Sequence, residues 1–138
     1  SVGRALEAIR EEADLVVIHD AARPLVEPGL VERVIEAAGR YGAAIAAVPL
    51  VDTVKEVREG WVRRTLDRSV LWAAQTPQAF RYGLILRAHR EARLRGLEAT
   101  DDAALVEMLG QPVRVVMGSP RNLKLTVPED LRVAEALL

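Results

Sequence analysis

Two wholly apolar runs, Leu15 to Ile18 ("LVVI") and Ala43 to Val48 ("AAIAAV"), constrain the chain more than anything else in it. Neither is long enough for a helix and neither has a polar side, so each reads as a strand covered on both faces. Between them, Val31, Val34, Ile35 and Ala38 recur at helical spacing, Pro28 suits a first turn and Gly42 a stop. The spacing predicts a helix over roughly 28–41. Strand, helix, strand is the repeating unit of a parallel sheet, so an α/β domain is expected.

The remaining segments extend that plan. Ala5, Leu6, Ala8 and Ile9 mark a first helix within 4–12, and "DTVKEVREGWVRRTLDR" alternates polar and apolar residues on either side of Glu59-Gly60. That alternation predicts an exposed hairpin. Helices are expected over 81–95, closed by Gly96, over 101–109, and from Pro128 onward, with short strands at 113–117 and 123–126. The expected whole is a Rossmann-like, mostly parallel sheet with helices on both faces and a hairpin arm, about 51–74, projecting from it. At 138 residues, with no linker or repeat, the chain makes one domain.

Composition removes several function classes. There are no cysteines, which excludes disulfide frameworks, thiolate zinc sites and thiol nucleophiles. A net charge of -1 gives no bulk attraction for nucleic acid. Arg87, Arg90, Arg93 and Arg95 do crowd one helix, but acids are interspersed and no aromatic platform accompanies them, so a solvated face is expected there. No apolar run approaches the ~18 residues of a membrane helix and no signal peptide is legible, which leaves no membrane partner and a cytoplasmic setting as the expectation. Position 1 is Ser, and "SVGRALEAIREEA" reads as the middle of something longer.

The chemistry sits where strands end. "HDAARP" follows the first apolar run directly, and in open α/β sheets ligands gather beyond the carboxyl ends of strands. Asp20 there suits a metal ion or sugar hydroxyls, and Arg23 a phosphate, although the pair equally serves as a salt-bridged surface turn. An aspartyl-nucleophile phosphatase would need a second Asp where Ala22 stands. His19 reads as a hydrogen-bonded structural histidine and His89 as helix surface. Thr100 is expected to cap the helix that Asp101 and Asp102 open. "QTPQ" at 75–78 reads as a turn, with the Thr76 hydroxyl available to phosphate or sugar. Only Lys55 and Lys124 are lysines among 19 cationic residues, so Lys124 in the predicted last strand either supplies a compact charge or points off an edge.

Together, "HDAARP", "PLVDTVKEV", "LDRSVLWAAQTPQAF", "EATDDAALVE" and "RNLKLTVPEDL" stand in the order and spacing of one family. The chain resembles the 2-C-methyl-D-erythritol 4-phosphate cytidylyltransferases along essentially its whole length. The resemblance implies transfer of CMP from CTP to the polyol phosphate, with release of pyrophosphate and help from magnesium, in isoprenoid biosynthesis. It implies that Asp20 lies near the nucleotide ribose and the substrate, that Arg23 and Lys124 shape the polyol phosphate pocket, and that Thr76 and Thr100 line it. Ser1 matches a serine close to the cytidine. The hairpin resembles the family's dimerisation arm, on which Thr53 and Arg68 reach the substrate phosphate in the neighbouring subunit, so a homodimer is expected.

One departure matters. The family's first half, with its Gly-rich phosphate loop and the Arg and Lys that stabilise the transition state, has no counterpart in this sequence. Residues 1–138 are therefore read as a partial nucleotidyltransferase domain, without catalytic residues of its own, of unknown metal ligation, and inactive alone. Two alternatives stand beside this reading: a ribitol 5-phosphate cytidylyltransferase, and a non-catalytic oligomerisation or binding fragment.

Overall fold

The computed structural model describes residues 2–9 and 12–138. In chain order the elements are α1 (Val2–Ala8), β1 (Leu15–Ile18), α2 (Pro28–Tyr41), β2 (Ala43–Pro49), β3 (Lys55–Arg58), β4 (Trp61–Thr65), β5 (Trp72–Arg81), α3 (Tyr82–Arg95), α4 (Asp102–Met108), β6 (Arg114–Met117) and α5 (Pro128–Leu137). The helix at 28–41 lies as the spacing predicts, and Gly42 ends it at φ 95°. The first helix spans Val2–Ala8, and residues 10 and 11 of the expected 4–12 span lie outside the described residues.

The domain is α/β, but the expectation of a mostly parallel sheet is corrected. Four strands lie in the order β1-β5-β2-β6, and both pairings of β5 are antiparallel while β2 and β6 pair in parallel. Strands β1, β2 and β6 do share one direction, as strand-helix-strand units require; β5 is wedged among them the other way. Its direction follows from the arm. The chain leaves β2 at Pro49, runs out and back, and re-enters beside its exit, where the Leu50 N–H donates to the Leu71 carbonyl at 3.1 Å. A strand that starts at that end runs back antiparallel to β2.

"QTPQ" is correspondingly no turn: it lies inside β5, with the Thr76–Pro77 peptide cis. Pro77 has no N–H to give a ladder, and the register accommodates this. Ile45 faces Gln78 and Ala47 faces Ala74, so Gln75, Thr76 and Pro77 bulge opposite Ala46 alone. The predicted strand at 123–126 is also corrected: that segment is irregular, and among the described residues its one backbone bond to a distant segment runs from the Leu125 N–H to the Ala22 carbonyl at 2.8 Å.

Helices cover both faces. Ala44, Ala46 and Ala79 pack against Leu30, Val34 and Ala38 of α2, while Ala43 and Phe80 turn the other way, onto Leu6, Ile85, Ala88 and Val106. This alternation of neighbours between two cores is the strand period at work. Alanines along β2 let helices approach closely from both sides.

β3 and β4 form a separate two-stranded sheet. Glu59 and Gly60, at φ 50° and 84°, make the two-residue turn that Arg58 and Trp61 flank, a hairpin geometry that wants positive φ at both positions. Trp61 is 78% exposed and Val62 60%, so the arm buries little by itself.

Candidate active site

The site begins where β1 stops. Ile18 is the last β1 residue to pair with β5, opposite Gln78, so Pro77, Thr76 and Gln75, the next β5 residues toward its start, have no partner in β1. The Asp20 N–H donates to Thr76 Oγ1 at 3.0 Å, and the Arg23 N–H closes the turn onto the Asp20 carbonyl at 3.0 Å. Asp20 Oδ2 lies 3.7 Å from Arg23 Nε and 3.4 Å from Lys124 Nζ. One carboxylate thus stands between two cations contributed about a hundred residues apart. The Asp20–Arg23 salt bridge is real, yet Lys124 shows that it is part of something larger than a self-paired turn.

Arg23 is held from behind. Its Nη1 donates to the Asn122 carbonyl at 2.6 Å, and its side chain is only 12% exposed. Asn122 is itself fully buried, with Nδ2 donating to the Thr76 carbonyl at 2.8 Å and to Gln75 Oε1 at 3.3 Å. Gln75 Nε2 in turn donates to the Ser119 carbonyl at 2.9 Å. These amides fasten the segment after β6 to the bulge of β5, and so fix where Lys124 emerges. Arg23 Nε and Asn122 Oδ1 are buried without a hydrogen-bond partner, which leaves the site's polar groups incompletely satisfied by the protein.

Thr100 is not the cap of α4. Asp101 is, accepting from the Ala104 N–H at 2.9 Å through Oδ1, while its Oδ2 accepts from Gln78 Nε2 at 3.0 Å. Gln78 Oε1 accepts from the Ala103 N–H at 3.2 Å, so one buried amide clamps the helix start to β5. Thr100, one residue earlier, is freed for the cavity. His89 is likewise more than helix surface: its Nε2 lies 2.9 Å from Asp102 Oδ1 with both side chains mostly covered. The expected solvated arginine face of α3 holds in part through pairing, since Arg90 grips Glu7 with two donors and keeps that carboxyl below its ordinary range.

Asp20, Arg23, Thr76, Thr100 and Lys124 all line one cavity of about 540 Å³, with His19, Gln75 and Gln78 also in its wall. Thr53 and Arg68 do not line it. They lie at the base of the arm, where Arg68 Nη1 donates to the Val51 carbonyl and the Leu66 N–H to the Val54 carbonyl. Ser1 falls outside the described residues. Sequence reasoning missed Gln75, Gln78 and Asn122; the two glutamines flank "TP" in a motif already singled out, which was the available signal.

Asp20 faces two cations, Asp101 caps a helix and Asp102 pairs with His89, and no group of three potential ligands occurs among the described residues. No helix among those residues is long and apolar enough to cross a membrane.

An α/β domain carrying a mixed-charge pocket at the carboxyl ends of its parallel strands is the class that the fold and the site define. The family model for 2-C-methyl-D-erythritol 4-phosphate cytidylyltransferase matches residues 1–138. A protein of that name from Pelotomaculum thermopropionicum is 55% identical over 139 residues, covering 100% of this chain and 58% of that protein. The crystal structure of 2-C-methyl-D-erythritol 4-phosphate cytidylyltransferase from Thermus thermophilus is similar with a TM-score of 0.91 at 47% identity, over 99% of this chain and 67% of that one. The Francisella tularensis structure gives 0.93 at 37%, over 100% and 66%. The chain belongs to the 2-C-methyl-D-erythritol 4-phosphate cytidylyltransferase family, and it spans 58–60% of the length of the curated relatives it matches.

Proposed function

We propose that this chain forms the polyol-phosphate-binding and self-associating part of a cytidylyltransferase that transfers CMP from CTP to 2-C-methyl-D-erythritol 4-phosphate. The observation that carries the reading is the convergence of Asp20, Arg23, Thr76, Thr100 and Lys124 on one cavity from four separate stretches of chain. In such a reaction a substrate phosphate oxygen attacks the α-phosphorus of CTP, a bond to that phosphorus forms, and the bond to the departing pyrophosphate breaks. Negative charge accumulates meanwhile, and catalysis is mostly positioning and cationic stabilisation. Arg23 and Lys124 supply fixed positive charge, and Asp20 and the two threonines supply partners for hydroxyls. Magnesium belongs to this reading as the companion of the CTP phosphates, carried by the nucleotide rather than by a cage of protein carboxylates.

The same reading makes the arm a dimer contact. Val51, Val57, Trp61, Val62 and Val70 are more than half exposed on a ribbon too small to be stable by burial of its own, and a second copy is the partner that would cover them. Thr53 and Arg68, remote from their own cavity, would then serve the partner's. A cytoplasmic setting, with neither nucleic acid nor membrane as partner, completes the proposal.

The test is pyrophosphate release by the intact gene product that carries this chain, supplied with CTP and either polyol phosphate. Turnover with methylerythritol phosphate and none with ribitol 5-phosphate is expected; the opposite preference overturns the substrate assignment. Asp20→Asn and Lys124→Ala should each cost about 2–4 kcal/mol of transition-state stabilisation, as preorganised charged groups do. A binding fragment without a catalytic role would lose nothing.

A further inference from the structure

We propose that His19 is a positioning residue that sets the hydrogen-bonding polarity of Thr76 and thereby holds Asp20 and Arg23 in register with β5. Its two ring nitrogens have different partners. Nε2 lies 3.0 Å from the Arg23 carbonyl oxygen, and Nδ1 lies 2.9 Å from Thr76 Oγ1. A carbonyl oxygen only accepts, so Nε2 carries the ring proton. In a neutral imidazole Nδ1 is then bare and accepts, which makes the Thr76 hydroxyl the donor.

The accounting closes on the third contact. Thr76 Oγ1 already accepts the Asp20 N–H at 3.0 Å, so its proton and one of its lone pairs are both committed. A single lone pair remains. Toward the cavity Thr76 therefore accepts from a ligand hydroxyl and has no proton to give a phosphate oxygen. The ring joins both ends of the Asp20–Arg23 turn to β5, Asp20 through Thr76 and Arg23 through its carbonyl. None of this requires His19 to touch the reacting atoms.

The substrate side of the inference rests on the proposed cytidylyl transfer, whereas the ring assignment does not. Long-range proton–nitrogen NMR of the intact protein at neutral pH should show His19 protonated at Nε2 alone, with the Nδ1 resonance moving in Thr76→Val. Protonation at Nδ1 alone, or at both nitrogens, overturns the proposal whether or not the protein turns over. In the assay, His19→Asn keeps an acceptor near the Nδ1 position, His19→Gln keeps a donor near Nε2, and His19→Ala keeps neither. His19→Ala should raise KM for the polyol phosphate about ten-fold, the scale of one net hydrogen bond. His19→Asn should restore most of that loss and His19→Gln little. An unchanged KM in His19→Ala, or equal losses on both substrates that His19→Asn fails to restore, overturns the role. Absence of turnover in the unsubstituted protein would sink the cytidylyltransferase reading and leave His19 to be decided by the ring assignment.

Discussion

Gly118 sits where a β-carbon would lie 2.3 Å from Gln75 Oε1 and 3.3 Å from the Ala47 carbonyl. Gln75 has nowhere to retreat, because its amide is buried and holds both Ser119 and Asn122. Gly118→Ala should therefore destabilise the domain by about 1–3 kcal/mol, the range for overpacking a well-filled site, as read from a denaturant midpoint. Substrate KM should rise with it, since the displaced loop carries Lys124. At this scale the sequence disclosed charge better than amides. Asp20, Arg23 and Lys124 stood out because a carboxylate and cations at strand ends are rarely idle. Gln75 and Asn122 did not, since an uncharged amide two residues from a Pro looks the same in a turn as in a buried lock. Thr100 and Asp101 were confused because both are good caps and only coordinates tell which one is in place.

Among the elements, β5 was the one the sequence concealed. Its Pro77 argues against a central strand, and only the bulge opposite Ala46 reconciles the two. Without β5 the direction of the sheet could not be known, although α2, β1 and β2 were legible from spacing alone. The last helix offers a test. Asp130 Oδ2 accepts from the Thr126 and Val127 N–H groups at 2.8 and 3.0 Å and from the Thr126 hydroxyl at 3.0 Å, which lowers its pKa from 3.8. Val127 has no side-chain acceptor to return the favour, so Asp130 alone closes the start of α5. A carboxyl whose native pKa is depressed contributes stability above its unfolded value, and that contribution fades as pH falls through the native one. Thermal midpoints measured on either side of pH 3.8 should drop on the acid side, and Asp130→Asn should lower the neutral midpoint and flatten this part of the profile. An unchanged pH profile in Asp130→Asn would remove the carboxylate from the account of α5.

The fold keeps apart two groups of residues to which the proposed function gives roles, the cavity set around Asp20 and the pair Thr53 and Arg68 at the base of the arm. Under the proposed function two copies should sediment together. A mixture of Asp20→Asn and Arg68→Ala subunits, dissociated and reassociated, should regain activity that neither homodimer has, because one of the two sites in a hybrid then holds both intact residues. No regain on mixing would confine each site to one subunit. The alternating pattern around Glu59-Gly60 already made the arm legible as a projecting hairpin, whereas the roles of Thr53 and Arg68 came only from the family resemblance, because no residue spacing carries a distance to a second subunit.

The buried frame behind the pocket is built of neutral amides, while Asp20, Arg23 and Lys124 bring charge to its cavity. Dissolved electrolyte screens the second kind and barely touches the first, since exposed charges weaken over a Debye length of about 8 Å at physiological ionic strength. Raising the ionic strength should thus loosen the hold on an anionic ligand without melting the cradle that receives it. Affinity and architecture answer to different features of the solvent.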